Sequence, residues 1–189
     1  MRRLVLASQS VHRLELLRNA GYEVEVVAHG MAEPDPAEFA DIEAALVHIA
    51  LLKARAARRR GARGLIFGAD TVGFARGEVL GKPADRPRAL RMLEAISDTV
   101  HQVLTGWCLL RTRDGLEISG VERTTITMRP WTREEIAAYL DSNQWVGKSG
   151  AYGLQLPDDP FVTHIDGSRS NVVGVPLERL EQIFAEVDL

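Results

Sequence analysis

Cysteine is almost missing from this chain: Cys108 is the single one in 189 residues. A lone thiol closes no disulfide and cannot by itself build a cysteine-based metal site. Set in an apolar stretch, it reads as core filler. Long apolar runs are missing as well. No stretch reaches the ~18 residues that a membrane span needs, and no basic start leads into a long apolar segment of the secretory type. The expectation is a cytoplasmic protein without membrane contact. Charge of one sign is not in excess either, since 23 Lys and Arg against 26 Asp and Glu leave a net charge of -3. No global field gathers nucleic acid, so a polyanionic ligand has to be held by locally placed cations.

Several nucleotide and hydrolase signatures are also absent. Gly147-Lys148-Ser149 resembles the end of a phosphate-binding loop, but Ser142 stands where that motif requires glycine, and a helix precedes it instead of a strand. The chain has no Gly-x-Gly-x-x-Gly, no His-Glu-x-x-His and no Gly-x-Ser-x-Gly.

What is present is an ordinary core composition, 46% hydrophobic, in a chain long enough for one generous domain or two small lobes around a cleft. The organising stretch is residues 64–83, GLIFGADTVGFARGEVLGKP. Leu65, Ile66 and Phe67 form an apolar run that breaks at Gly68-Ala69-Asp70, the pattern of a buried strand with Asp70 at its carboxyl end. A carboxylate there either caps a turn through its own backbone or meets a cation or activates a water in the crevice beyond the strand ends. Gly81-Lys82-Pro83 then brings a base close in sequence to that acid.

Residues 3–7 read as a first strand, Ser8-Gln9-Ser10 as a small polar loop, and Leu14, Leu16 and Leu17 as the start of a helix. Strand, polar loop and helix make a phosphate-cradle layout. His12 and Arg13 fall in the first helical turn, where the macrodipole disfavours cations. Either a bound anion cancels that conflict by sharing the helix amides and Arg13, or Arg13 points to solvent. Residues 22–27 alternate as a half-exposed strand, and the loop after Gly30 contains Glu33, which by itself reads as solvated.

From Ala37 a helix is expected, with Phe39, Ile42, Leu46 and Ile49 on its inward stripe. Lys53 falls next on that stripe. It must either snorkel out or aim its ammonium into a cleft, and with Arg55, Arg58, Arg59 and Arg60 on or near the polar side the cleft is the expectation. The arginine run itself reads as a solvated helix end. Farther on come a helix at 85–97 with Leu90, Leu93 and Ile96 inward, and an antiparallel ribbon of strands at 100–112 and 116–128. Thr132 and Glu135 form a capping box, and 147–155 is a Gly-rich loop too polar for core. A strand at 161–165, a turn at 166–170 and a last helix after Pro176 complete a single α/β unit. The carboxylates Asp70 and Glu33, set against Arg13, Lys53, Lys82 and Lys148, suit an oxygen-ligated Mg²⁺ and a phosphate chain.

Six blocks carry a more specific signal: LASQSVHRLELLRNAGYEVEVV near the start, the segment around Lys53, GADTVGFARGEVLGKP, HQVLTG at 101–106, KSGAYGLQ at 148–155 and GSRSNVVGVPL at 167–177. Together and in this order they resemble the Maf family of nucleoside triphosphate pyrophosphatases. The resemblance implies an α/β fold with an elongated twisted mixed sheet flanked by helices around a central cleft, similar to inosine triphosphate pyrophosphatases, with residues 1–189 as one domain. It implies hydrolysis of an NTP to NMP and pyrophosphate with Mg²⁺ or Mn²⁺, no nucleic acid, and a possible homodimer.

Asp70 matches the proposed proton acceptor, with Lys53 and Lys82 as further catalytic residues and Glu33 and Asp70 as metal ligands. Ser8, Ser10, His12, Arg13, Thr71, Lys148 and Gln155 match substrate-binding positions. Thr71 and Gln155 point to the branch acting on dTTP and UTP. A nucleotide-binding regulator of septum formation and a pyrophosphatase of 7-methyl-GTP or other modified nucleotides are the competing readings. The chain departs from the family at His12, where Arg or Trp is usual, at Gly147 for Asp, at Leu156 for Gly and at Asp98 for Gly. Retained catalysis with an altered base preference is the expectation.

Overall fold

The computed structural model describes residues 2–154 and 159–187. Strand β1 (Arg3–Leu6) follows the apolar run at the start, and Leu4, Val5 and Leu6 are buried. Ser10 then starts helix α1 (Val11–Asn19), its Oγ accepting a hydrogen bond from the Arg13 amide at 3.3 Å, which satisfies one of the unpaired donors of the first turn. Strand β2 (Glu23–Val26) runs parallel to β1, from Arg3 opposite Glu23 to Leu6 opposite Val26.

Helix α2 (Ile42–Arg59) begins at Ile42 rather than at Ala37. A short 3₁₀ turn (Pro36–Glu38) comes first and leaves Phe39 exposed. Asp41 wins as the cap because its carboxylate accepts from two amides, those of Glu43 at 2.9 Å and Ala44 at 3.1 Å. The inward stripe is otherwise as expected, with Leu46, Ile49 and Lys53 buried.

Strand β3 (Leu65–Ala75) lies so close to α2 that a Cβ at Gly68 would collide with the Ala50 carbonyl, and Ala50 and Ala54 keep that contact small. The strand does not stop at Asp70. Gly73, Phe74 and Ala75 still find ladder partners in Leu80, Val79 and Glu78 of antiparallel β4 (Glu78–Leu80). Arg76 and Gly77, with φ of 53° and 82°, make the two-residue turn between them, the form whose twist matches a hairpin. Asp70 is therefore a mid-strand residue, not a strand end.

Helix α3 (Arg86–Ile96) is capped by Asp85, which accepts from the Arg88 amide at 2.7 Å. It buries Ala89, Met92, Leu93 and Ile96, while Leu90, expected inward, is exposed. Asp98, where the resembling family commonly has Gly, takes φ 52°, a left-handed conformation that Asp tolerates better than most side chains. Strands β5 (Val100–Arg111) and β6 (Glu117–Met128) form the expected ribbon. Helix α4 (Arg133–Asp141) has the expected capping box, with both Thr132 and Glu135 bonds made.

Strand β7 (Val162–Asp166) pairs antiparallel with β6. The expected turn after it becomes a short helix, α5 (Arg169–Val173), because Ser168 Oγ accepts from the Asn171 amide at 3.0 Å and Asn171 Nδ2 donates to the Val103 carbonyl and to Thr124 Oγ1. Helix α6 (Leu177–Glu186) ends the described chain and buries Leu180, Ile183 and Phe184.

The seven strands form one mixed sheet in the order β2-β1-β3-β5-β6-β7, with β4 paired to β3, so the fold is α/β with helices flanking a mixed sheet. The chain divides into two compact units. One comprises Met1–Asp70, Thr105–Glu122 and Val173–Leu189, the other Thr71–Leu104 and Arg123–Val172. The first is built on Leu4, Leu6, Leu17, Phe67, Trp107, Leu180 and Phe184, with a second cluster of Val5, Ile66, Cys108 and Leu110 around the α2 alanines. Burial pushes the Cys108 thiol up to about 12, which suits an inert core residue. The second unit packs Leu80, Met92, Leu93, Val103, Ile126, Ile136 and Leu140 around Trp131, whose ring stacks on Phe161 with centroids 3.5 Å apart. Among the described residues no helix is long and apolar enough to cross a membrane.

Candidate active site

The site in the first unit is built around a buried ammonium. The register of α2 carries Lys53 into the interior with its side chain 4% exposed. Its Nζ donates to Asp70 Oδ1 at 2.7 Å and to the Ala69 carbonyl at 3.5 Å, and forms an ion pair with Glu33 Oε2 at 2.8 Å. Asp70 is 14% exposed and Glu33 41% exposed. The lysine expected to aim into a cleft thus meets the two carboxylates expected to be functional, and Glu33 is not a merely solvated loop residue. Among the described residues no hydrogen bond reaches Asp70 Oδ2, so one carboxylate oxygen is fixed and the other is available.

Arg13 does not point to solvent. It is buried, its Nε donating to the Gly174 carbonyl at 3.0 Å and its Nη1 to the Ala69 carbonyl at 2.9 Å and to Ser8 Oγ at 3.2 Å. Burial lowers its pKa, opposed by the charges of Asp70 and Glu33. The guanidinium is thereby held at the segment that delivers Asp70. Ser8 also accepts from the Ser10 amide at 3.2 Å, so Ser8, Ser10 and Arg13 form one hydrogen-bonded corner at the start of α1. His12 stands apart, exposed, with Nδ1 3.9 Å from Glu15 Oε2.

One residue of the cluster escaped the sequence reading. His29 Nε2 lies 3.1 Å from Glu33 Oε1, four residues before it in the loop. Burial and the Lys53 charge lower its pKa, while Glu33 and Asp70 act the other way. An isolated histidine in an aperiodic loop gives no signal that sequence patterning could use.

The remaining candidates belong to the second unit. Ser149 Oγ donates to the Thr71 carbonyl at 2.8 Å, and the Gly150 amide to the Gly81 carbonyl at 2.9 Å, so the two Gly-rich segments meet. The 147–154 loop is less polar in its setting than expected, because Gly150, Ala151 and Leu154 are buried. Lys82 is exposed. Lys148 Nζ is buried with no hydrogen-bond partner among the described residues, and burial lowers its pKa. Gln155 lies outside the described residues.

Asp70 and Glu33 present hard carboxylate oxygens of the kind that Mg²⁺ or Mn²⁺ takes together with phosphate oxygens. Among the described residues no three His, Cys, Asp or Glu gather as a metal site. The donor chemistry fits a divalent ion only if a bound phosphate completes its shell.

Comparison with known proteins adds a second line of observation. Residues 3–187 match the family described as Maf-like protein. A dTTP/UTP pyrophosphatase of Symbiobacterium thermophilum is 39% identical over 191 residues, covering 98% of this chain and 94% of that protein. Another of Geobacter metallireducens is 42% identical over 178 residues, covering 93% and 91%. Among solved structures, a nucleoside-triphosphatase / dITP/XTP pyrophosphatase from Mycobacterium abscessus covers 97% of this chain and 94% of its own at 15% identity, with a TM-score of 0.45.

Proposed function

Because the chain belongs to the Maf-like protein family, we propose that it is a nucleoside triphosphate pyrophosphatase, hydrolysing a (d)NTP to the (d)NMP and pyrophosphate, with dTTP and UTP as its substrates. The names of its relatives support the substrate class. The observation that carries the mechanism is the Lys53 ammonium held between Asp70 and Glu33.

In this reading Lys53 fixes Asp70 through Oδ1 and leaves Oδ2 to accept a proton from the attacking water. The new bond forms between the water oxygen and the α-phosphorus, the α–β phosphoanhydride bond breaks, and pyrophosphate departs with the electron pair. Arg13, tied to backbone carbonyls, supplies fixed positive charge that needs no reorganisation during the reaction. Lys82 and Lys148 neutralise the departing pyrophosphate, and the buried, unpartnered ammonium of Lys148 is suited to a phosphate oxygen. Ser8 and Ser10 bind the substrate at the α1 amino end, while Thr71, Gln155 and His12 read the base. Asp70 and Glu33 would hold Mg²⁺ or Mn²⁺, which supplies charge neutralisation on the triphosphate when bound. A cytoplasmic location and a homodimer accompany this reading.

Pyrophosphate release from a panel of canonical and methylated nucleoside triphosphates tests it. Turnover concentrated on dTTP and UTP, falling by about 100- to 10,000-fold in Asp70→Asn with nucleotide binding retained, is the expected result. Silence across the panel, or full turnover in the variant, overturns it.

A further inference from the structure

The carboxyl end of α2 carries a second concentration of cations that the proposed reaction does not use. Arg55, Arg58 and Arg59 of the helix and Arg63 just beyond it wall a cavity of about 620 Å³, completed by Thr112 and Glu117 from the β5–β6 ribbon. At 100° per residue, Arg55, Arg58 and Arg59 lie on the opposite side of the helix from Lys53, so the cavity is separate from the Asp70 cluster. The arginine run ends the helix exposed, as expected, while Arg55, one turn earlier, is locked to Glu117, Nε to Oε1 at 2.7 Å and Nη2 to Oε2 at 2.6 Å.

That bidentate pair consumes the single carboxylate of the cavity. Arg55 and, less strongly, Arg58 hold Glu117 below the usual carboxylate range. Arg58, Arg59 and Arg63 form no ion pair among the described residues. Three guanidinium groups without an ion-pair partner among the described residues therefore face one concavity in a chain whose net charge is -3. The helix dipole rewards cations in its last turn, and an anion seated among Arg58, Arg59 and Arg63 would add charge-assisted hydrogen bonds to that reward.

Guanidinium forks match phosphate oxygens two at a time. A cavity of this volume falls within the range of small-molecule pockets, unlike an extended track along a nucleic-acid backbone. We propose that this cavity is a second, non-catalytic site for a small anion bearing a diphosphate group, held by Arg58, Arg59 and Arg63, with the Arg55–Glu117 pair as its rigid wall. The same chemistry is offered by free pyrophosphate and by the diphosphate portion of a nucleotide. The site stands whether or not Asp70 catalyses hydrolysis.

Calorimetric titration of the full chain with inorganic pyrophosphate, and separately with a non-hydrolysable dTTP analogue, tests the proposal. Arg58→Gln/Arg59→Gln/Arg63→Gln, which keeps the Arg55–Glu117 pair and every proposed catalytic residue, should lose one equivalent of bound anion while keeping the wild-type urea midpoint and turnover. Glu117→Gln, by removing the competing carboxylate and releasing Arg55, should tighten the same site several-fold. Tighter binding of pyrophosphate than of the analogue at the lost site identifies the free anion as ligand, and the reverse order identifies the nucleotide. Identical isotherms for wild type and triple variant, or sulfate binding there as tightly as pyrophosphate, overturns the proposal. Should the triple variant fail to fold, Arg59→Gln alone must still weaken pyrophosphate at that site.

Discussion

Replacing Lys53 by Met keeps the length of the buried stem and removes only its charge, which makes the energetic role of the central ammonium measurable. Losing one partner of a buried ion pair costs about 3–5 kcal/mol when the other is left stranded. Here the two carboxylates differ: Glu33, 41% exposed, can be rehydrated, whereas Asp70, 14% exposed, cannot. The Arg13 charge compensates part of the stranded Asp70. The expected cost of Lys53→Met is therefore about 2–3 kcal/mol, or roughly 4–12 °C in Tm at this chain length. Asp70→Asn should cost less, about 1–2 kcal/mol, because Lys53 keeps Glu33 at 2.8 Å. The double variant should recover at least about 1 kcal/mol of the summed loss, since neither charge then remains unpaired. Urea unfolding followed by tryptophan fluorescence, with Trp107 in one core and Trp131 in the other, reads all three. Single losses that add to within about 0.5 kcal/mol would show that the pair is not coupled and that its geometry is incidental.

Two further outcomes test the packing. Burial pushes His101 down to about 4 from an ordinary 6.5, so between those values the unfolded chain binds a proton that the folded chain refuses. Stability present above pH 6.5 should fall as pH drops toward 4, by about 3 kcal/mol for this group; urea midpoints measured between pH 7 and 4.5 should show a shallower decline in His101→Gln. Gly68→Ala forces a methyl against the Ala50 carbonyl and should cost at least about 1–3 kcal/mol in the same assay, and wild-type stability would mean that α2 and β3 can separate freely.

Lys53 was legible because a charged residue on the Leu46–Ile49 stripe violates the helical pattern, and a violation at a buried position demands partners. Asp70 was legible for the same reason at the end of an apolar run. The continuation of β3 was not, because Gly68 and Asp70 are residue types depleted in strands and the partner strand β4 is out of view in the sequence. The start of α2 was placed at Ala37 instead of Ile42 because a short 3₁₀ turn, capped by Asp35, precedes the helix and continues its local helical pattern. His29 and the Arg55–Glu117 pair were invisible for a different reason. One is an aperiodic loop contact, and the other joins residues 62 positions apart, beyond the reach of any local pattern.

The hydrogen bond from Arg13 to the Gly174 carbonyl spans 161 residues, and the core beneath it joins Leu4 and Leu6 to Leu180 and Phe184. During synthesis the amino-terminal segment must wait for its carboxyl-terminal partner, on the order of ten to thirty seconds at ribosomal rates of about 5–20 residues per second. Until then Arg13 lacks the acceptor that holds its guanidinium beside Asp70. The nascent chain completes this corner of the candidate site only once the Gly174 segment has emerged, so a truncated product lacking that segment would leave it unfinished.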